Sequence, residues 1–198
     1  HSFPTRRSSD LLVSYLSLPP GSDANGDGIP DHPVPMVLNV HGGPWARDAY
    51  GFDNEHQWLA NRGYAVLSVN YRGSTGFGKG FINASNKEWA GKMHDDLIDA
   101  VNWAVEQKIA DKSKVAIMGG SYGGYATLVG LTFTPDVFCC GVDIVGPSFA
   151  MEIFYTARQF TAAEAVTMGI ATAGRVITAA ALLMVIVFAA LSTGDVSF

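Results

Sequence analysis

Residues 115–123 read Val-Ala-Ile-Met-Gly-Gly-Ser-Tyr-Gly, and this stretch decides the fold of the chain. An apolar run leads into a Gly-x-Ser-x-Gly pattern, and small and apolar residues continue beyond it to Leu131. That order predicts a strand, a sharp turn and a helix, with the serine exposed on the turn. The glycines are needed because the turn is strained and its backbone crowds the neighbouring strand. Ser121 is therefore the candidate nucleophile of the chain.

Segments of strand and helix character alternate on both sides of this motif. The predicted elements are an edge strand at 12–18, buried strands at 34–40, 65–69, 115–118 and 141–145, and helices at 53–62 and 93–105. Buried strands that alternate with helices favour a doubly wound, mostly parallel α/β sheet. The fold class is therefore predicted to be an incomplete α/β-hydrolase sheet, followed by a C-terminal hydrophobic helical segment. Its glycine-rich loops should converge on Ser121 at the carboxyl ends of the strands.

Composition excludes several classes of function. A length of 198 residues suggests one domain with an appendage, and 48% hydrophobic residues are ample for a core. The net charge of −5 gives no reason to expect nucleic-acid binding. The two cysteines, Cys139 and Cys140, are adjacent and have no metal-ligand partner at a suitable spacing. They are expected to be buried free thiols at the start of a strand, and no cofactor is predicted.

Four motifs follow one another along the chain. They are His41-Gly-Gly-Pro-Trp45, the glycine-rich loop Asn70-Tyr-Arg-Gly-Ser-Thr-Gly-Phe-Gly78, the helix with Asp95, Asp96 and Trp103, and Gly119-Gly-Ser-Tyr-Gly-Gly124. In this order and spacing they resemble the prolyl oligopeptidase family, above all its acylaminoacyl-peptidase and dipeptidyl-peptidase-like branch. The resemblance covers about residues 12–148. It implies a serine peptidase whose hydrolase domain follows a β-propeller that screens peptide substrates by size.

The motif and the resemblance together assign roles around Ser121. Its hydroxyl would attack a scissile carbonyl and form an acyl-enzyme. The backbone N–H of Tyr122, the residue after the nucleophile, would bind the developing oxyanion. The resemblance implies that Gly43 supplies the second backbone donor of this oxyanion hole. His41 lies on the same turn and precedes the serine in the chain, so it is interpreted as a supporting residue rather than the base.

Aromatic and basic side chains near the motifs have two interpretations. Trp45, Tyr71 and Tyr125 are candidate lining residues of a substrate pocket, and ordinary packing is the alternative for each. Arg47 and Arg72 are candidate ligands of a substrate carboxylate, and structural ion pairs are the alternative.

The histidines are unusually placed for a serine peptidase. All five of them, at positions 1, 32, 41, 56 and 94, precede Ser121. In this fold the acid and the histidine of the triad follow the serine. The sequence therefore predicts a peptidase fragment that lacks its triad Asp and His and is inactive. A carboxylesterase, with the same elbow and a similar His-Gly-Gly turn, is the alternative enzyme, and a non-catalytic membrane-tethered module is the alternative of another class.

Both ends of the chain look foreign to a partial hydrolase domain predicted at residues 12–149. Residues 1–11 resemble the translation of a DNA-sequencing adapter. Residues 150–198 are predicted to be a foreign or membrane-type helical segment, because the part from Ala163 onward resembles membrane segments of resistance–nodulation–division and mycobacterial-type lipid transporters. Residues 176–194 are uncharged, and a bilayer core needs about 20 such residues. A membrane is thus a partner only if this stretch is genuine, and a buried core helix is the alternative.

An acidic loop near the N-terminus partly matches a calcium-binding loop. Its potential ligands fall at positions 1, 3, 5 and 9 of that pattern, and they are Asp23, Asn25, Asp27 and Asp31. Gly28 occupies position 6, but Val34 stands where a bidentate glutamate is expected at position 12. The coordination shell is therefore short, so no metal is assigned, and a plain acidic turn is the alternative to a calcium site.

Overall fold

A mixed sheet lies at the centre of the fold. The computed structural model describes residues 2–4 and 11–146, and within them the sheet has six strands in the order β1-β2-β4-β3-β5-β6. The strands are β1 (Ser2–Pro4), β2 (Leu11–Ser17), β3 (Val34–Val40), β4 (Ala65–Val69), β5 (Ala110–Gly120) and β6 (Cys140–Ile144). Strands β3 to β6 are parallel, whereas β1 and β2 are antiparallel to their neighbours. The mostly parallel α/β sheet predicted from the sequence is confirmed. Cys139 and Cys140 do lie at the start of β6, but the prediction that they are buried is wrong, because both are exposed.

Four helices connect the strands within the described part of the chain. They are α1 (Asn54–Ala60), α2 (Lys79–Asn83), α3 (Lys92–Glu106) and α4 (Tyr122–Phe133). Helix α1 begins after Asp53, whose carboxylate accepts the backbone N–H of His56 at 2.8 Å and so caps the first turn. The sequence did not predict α2, because its five residues lie in the glycine-rich region and bury none of their side chains. The other three helices lie within a few residues of their predicted positions.

Burial explains why these segments adopt their structures. All five residues of β4 are buried, as expected for a strand that is covered on both faces. Helix α3 buries a single apolar stripe that includes Met93, Leu97 and Val101, which recur at helical spacing. On the other side of the sheet, Leu59 of α1 belongs to a buried cluster with residues of β3 and β4. The sheet therefore carries helices on both faces.

The register of the strands brings three loops together. Val40, the last residue of β3, pairs with Gly119 of β5, so the turn after β3 starts beside the turn after β5. Ser68 of β4 pairs with Asn39 of β3, so the loop after β4 starts at the same edge. Parallel strands end at a common edge of the sheet, and the motifs that follow these three strands meet there.

The two ends of the chain differ in what the structure describes. Ser2–Pro4 forms β1 and pairs with the start of β2, although residues 1–11 were predicted to be a tail outside the fold. Residues 150–198, with the uncharged stretch 176–194, lie outside the described residues. Within 2–4 and 11–146, no helix combines the length and the apolar character that crossing a bilayer requires.

Candidate active site

Ser121 occupies a strained turn between β5 and α4. Its backbone φ of 54° and ψ of −117° lie in a region that residues with a side chain rarely adopt. The turn is held from both sides: the Ser121 N–H donates to the carbonyl of Ile144 at 2.9 Å, and the Tyr125 N–H donates to the carbonyl of Ser121 at 3.1 Å. The strain therefore persists because β6 and the first turn of α4 fix the serine backbone.

Two glycines allow this turn to pack against β3. A Cβ atom added to Gly119 or to Gly123 would overlap the carbonyl oxygen of Val40. Neither glycine has a positive φ, so the requirement is for space and not for a special backbone conformation. The Gly-x-Ser-x-Gly spacing thus places one glycine on each side of the serine, where β3 passes closest.

The turn at 41–44, called the oxyanion turn below, lies beside the serine. A Cβ atom added to Gly42 would be 3.4 Å from the Cβ of Ser121 and 3.0 Å from the carbonyl oxygen of Gly120. Gly43 has a φ of 119° and precedes Pro44 through a cis peptide bond. Tyr122, the first residue of α4, has a backbone N–H with no partner inside its helix. The structure therefore brings Ser121, Tyr122 and the oxyanion turn into one small region.

His41 is engaged within the turn and the neighbouring loop. Its Nδ1 lies 2.8 Å from the Gly42 carbonyl, and its Nε2 lies 2.9 Å from the hydroxyl of Ser74. The ring stacks on Tyr71 with centroids 4.4 Å apart, and the Tyr71 hydroxyl donates to the His41 carbonyl at 2.8 Å. Burial lowers the pKa of His41, against a smaller opposing effect of the Gly42 carbonyl. A neutral ring with both nitrogens in use is a poor base for Ser121.

Two of the remaining described histidines, His56 and His94, form hydrogen bonds away from the serine. His56 bridges Ser17 and Ser68, while Nε2 of His94 lies 3.1 Å from the hydroxyl of Thr134. His32 is exposed in the acidic loop, and His1 lies outside the described residues. None of these hydrogen bonds involves Ser121.

The aromatic candidates divide into buried and exposed residues. Tyr71 and Tyr125 are fully buried, and Tyr122 packs between them with ring centroids at 5.4 and 5.7 Å. Burial raises the pKa of Tyr125 to about 12, so this phenol stays protonated. Trp89, which the sequence did not single out, contacts Tyr122 edge-on at 4.9 Å. Of the three aromatic candidates, Trp45 is the one whose side chain is largely exposed, at 58%.

The two candidate arginines have structural contacts. Arg72 donates two side-chain hydrogen bonds to the carboxylate of Asp96, at 2.8 and 2.6 Å, and its backbone N–H donates to the same group at 2.9 Å. This ion pair ties the loop after β4 to the first half of α3. Arg47 lies with its guanidinium against Gly76 of the same loop. For Arg72 the ion-pair interpretation describes the observed contacts.

The acidic loop directs its carboxylates at its own backbone. Asp23 accepts N–H donors from Gly26 and Gly28, each at 2.8 Å, and Asp27 accepts from Ile29 at 2.8 Å. Across residues 2–4 and 11–146, no group of three or more His, Cys, Asp or Glu side chains is arranged to hold a metal ion. The acidic loop therefore has the geometry of a tight turn that is stabilised by side-chain caps.

Comparison with known sequences identifies relatives of this site. The model of the prolyl oligopeptidase family matches residues 50–176, a range that includes Ser121 and extends beyond residue 149. Dipeptidyl aminopeptidase BIII of Pseudoxanthomonas mexicana is 69% identical over 79% of this chain and 23% of its own length. Dipeptidyl peptidase family member 6 of Caenorhabditis elegans is 56% identical over 72% of this chain and 21% of its own length.

Solved structures give the same result for the fold. A puromycin-hydrolyzing peptidase of Mycobacterium tuberculosis superposes with a TM-score of 0.63 at 34% identity, over 73% of this chain and 22% of its own. The acylaminoacyl peptidase of Pyrococcus horikoshii superposes with a TM-score of 0.65 at 27% identity, over 77% of this chain and 24% of its own. The chain thus spans about a fifth to a quarter of the length of the relatives it matches.

Proposed function

Because the chain belongs to the prolyl oligopeptidase family, we propose that Ser121 is the nucleophile of a serine peptidase that cleaves peptides by acyl transfer. The observation that carries the proposal is the strained backbone of Ser121, with its φ of 54°, between a buried strand and a helix. This geometry holds the side chain at the edge of the sheet, where a substrate carbonyl can reach it. The bacterial relative and the nematode relative are both named as dipeptidyl peptidases, which supports a peptidase over a carboxylesterase.

The oxyanion hole of the proposed enzyme uses the backbone N–H groups of Tyr122 and Gly43. In a trans peptide the C=O and N–H point to opposite sides. His41 holds the Gly42 carbonyl on one side of the Gly42–Gly43 peptide, so the Gly43 N–H points to the other. We therefore assign His41 the role of a positioning residue that orients the Gly42–Gly43 peptide. Removing one donor of an oxyanion hole typically lowers the rate by about 10²–10³.

The 198-residue chain itself is proposed to be inactive. No histidine follows residue 94, and His41, His56 and His94 each form hydrogen bonds to groups other than Ser121. Without a base, the serine hydroxyl keeps its proton and attacks slowly. What remains is the contribution of binding and of the oxyanion hole, about 10³–10⁴ over water in enzymes without their triad.

Residues 150–198 are proposed to have an origin different from that of the hydrolase domain. Their composition supports a segment that does not belong to the hydrolase, and a membrane-tethered module is the functional alternative it implies. The family model supports a later boundary, since its match continues to residue 176.

Chemical labelling tests the role of Ser121 without requiring turnover. A fluorophosphonate probe phosphonylates a nucleophilic serine: the Oγ–P bond forms, the P–F bond breaks, and fluoride and the hydroxyl proton leave. We expect slow labelling at Ser121 by peptide mapping, faster labelling when imidazole is added as an external base, and none in Ser121→Ala. Ser113→Ala, which removes an exposed serine, should be labelled like the parent. Labelling that Ser121→Ala does not abolish would refute the assignment.

A further inference from the structure

A cavity of about 260 Å³ lies away from the serine, between β2, β4, α1 and the segment after the oxyanion turn. Its lining residues are Tyr15, Leu16, Ser17, Asp48, Ala49, Tyr50, Gly51, Asp53, His56 and Ser68. Small-molecule sites typically measure about 300–1,000 Å³, so this cavity suits a ligand of roughly amino-acid size. Ser121, Tyr122 and the oxyanion turn do not line it, so the cavity is separate from the residues assigned to acyl transfer.

One wall of the cavity is a fixed hydrogen-bond chain. Nδ1 of His56 lies 2.9 Å from the hydroxyl of Ser17, and Nε2 lies 2.7 Å from the hydroxyl of Ser68. Burial lowers the pKa of His56 and outweighs the opposing effect of Asp53 and Glu55. His56 is therefore a neutral ring with both nitrogens engaged, and it brings no positive charge to the cavity.

The Asp48 carboxyl is the unusual group in this wall. Its Oδ2 atom is buried and has no hydrogen-bond partner among the residues that the structure describes. Its backbone is fixed, because the Asp48 N–H donates to the Asn70 side chain at 2.9 Å and the Asn70 amide donates to the Asp48 carbonyl at 3.2 Å. An unsatisfied buried acceptor costs about 1–3 kcal/mol, and more when it is charged. Asp48 is also a lining residue of the cavity, so a cation bound there would lie beside this carboxyl and offset its charge.

The charges around Asp48 are negative. Burial raises the pKa of Asp48 to about 7, and the carboxylates of Asp53 and Glu55 add to the effect. Burial raises the pKa of Tyr71 well above its usual value, with smaller effects of Tyr122 and Asp48, so Tyr71 stays a neutral phenol. No lysine or arginine is among the residues that line the cavity. The Asp48 carboxyl therefore has no cationic side chain beside it among the residues that line the cavity.

Two aromatic rings complete the cavity. The ring centroids of Tyr15 and Tyr50 are 6.4 Å apart, and Tyr50 is 94% exposed although it lies on the cavity wall. Aromatic faces attract cations that lie within about 6 Å of the ring centre. An exposed tyrosine beside a buried carboxyl suits a ligand with a cationic head and an apolar body.

We propose that this cavity binds a small organic ammonium ion, with the Asp48 carboxylate as its counter-ion and the Tyr15 and Tyr50 rings as its apolar wall. A primary ammonium group has three donors, and the lining residues Asp48 and Ser17 carry a carboxyl and a hydroxyl that can accept them. A bare metal ion fits less well, because the described residues hold no set of three ligating side chains. The ligand class is thus a primary amine with an aromatic or alkyl body.

Ligand-detected NMR titration of the 198-residue chain with benzylamine tests this proposal, and benzyl alcohol is the uncharged control of similar shape. We expect saturable binding of benzylamine and much weaker binding of benzyl alcohol. Because only the ionised carboxyl attracts the ammonium group, binding should be about tenfold tighter at pH 8 than at pH 6, as the ionised fraction of Asp48 rises through its pKa of about 7. Benzyl alcohol that binds as tightly as benzylamine would overturn the proposal.

Three variants locate the binding. Asp48→Asn should weaken benzylamine binding at pH 8 and abolish its pH dependence, while Asp136→Asn, an exposed carboxyl elsewhere, should leave both unchanged. Tyr50→Ala, at an exposed side chain, should weaken binding and keep the pH dependence. If Asp48→Asn does not fold, the binding of benzylamine to Tyr50→Ala and to the parent chain at pH 6 and pH 8 tests the proposal instead. Unchanged binding in Tyr50→Ala, or the same affinity at pH 6 and pH 8, contradicts the proposal.

Discussion

Replacing Asp96 by Asn should destabilise the chain strongly, although the two side chains have nearly the same shape. Asp96 is 1% exposed and receives three hydrogen bonds from Arg72, two of them from the guanidinium at 2.8 and 2.6 Å. Asparagine replaces one acceptor oxygen with an NH₂ group, which faces the NH₂ group of Arg72. The variant therefore removes the Asp96 carboxylate from an arginine that is only 13% exposed.

The size of the effect follows from this burial. Breaking a buried ion pair by removing one partner costs about 3–5 kcal/mol, because the other charge stays buried and uncompensated. With a urea dependence of about 2 kcal/mol per molar for a domain of this size, the unfolding midpoint should fall by about 1.5–2.5 M. Replacing both partners, as in Asp96→Asn with Arg72→Met, should cost less than the sum of the two single changes.

Urea unfolding followed by tryptophan fluorescence measures these midpoints. Asp111→Asn is the matched control, because Asp111 forms an ion pair with Lys114 on the surface and its loss should not shift the midpoint measurably. A midpoint of Asp96→Asn within error of the parent would show that the pair does not stabilise the loop after β4. Additive effects in the double variant would show that the two residues do not act as a unit.

Three further results are expected. Gly123→Ala should unfold the elbow or abolish labelling of Ser121, because its new Cβ overlaps the carbonyl oxygen of Val40 in β3. Gly80→Ala, which has open space around it, should change neither the circular dichroism spectrum nor the labelling. Asp48→Asn should stabilise the chain above pH 7, by at most roughly 4 kcal/mol, and little near pH 4. Burial raises the pKa of Asp48 in the folded chain from its ordinary 3.8 to about 7, so the parent chain loses stability as the pH rises from about 4 through 7. Deleting residues 177–198 should raise solubility and leave the midpoint of thermal unfolding unchanged. If the hydrolase sequence continues to residue 176, the longer deletion of residues 150–198 should lower that midpoint.

The sequence was sufficient for the core elements and for the turn that carries the serine. Strands β3 and β4 are mostly apolar, and the Gly-x-Ser-x-Gly spacing places Gly119 and Gly123 where a Cβ atom would overlap the Val40 carbonyl. The strand β1 and the helix α2 were not predicted. Ser2–Pro4 lies in a segment with no strand pattern, and the five residues of α2 bury no side chain that periodicity could detect.

The surroundings of the serine were only partly predictable. The sequence indicated that Arg72 could bind a carboxylate, but its partner Asp96 lies 24 residues away and is fixed by how α3 docks on the sheet. Trp89 was missed because a lone aromatic residue in a loop has no pattern, and its contact with Tyr122 depends on tertiary packing. The buried carboxyl of Asp48 was missed for the same reason, since no local motif distinguishes it from a surface aspartate.

A crystal structure of the chain with Ser121 phosphonylated would test the central claim most directly, because the phosphonyl oxygen stands in for the oxyanion of the tetrahedral intermediate. We expect this oxygen to accept hydrogen bonds from the backbone N–H groups of Tyr122 and Gly43, each about 2.7–3.1 Å long. His41 should keep its contact with the Gly42 carbonyl in the adduct. An adduct oxygen that points away from both N–H groups, or a phosphonyl group on another residue, would contradict the claim that the elbow and the oxyanion turn form one catalytic site.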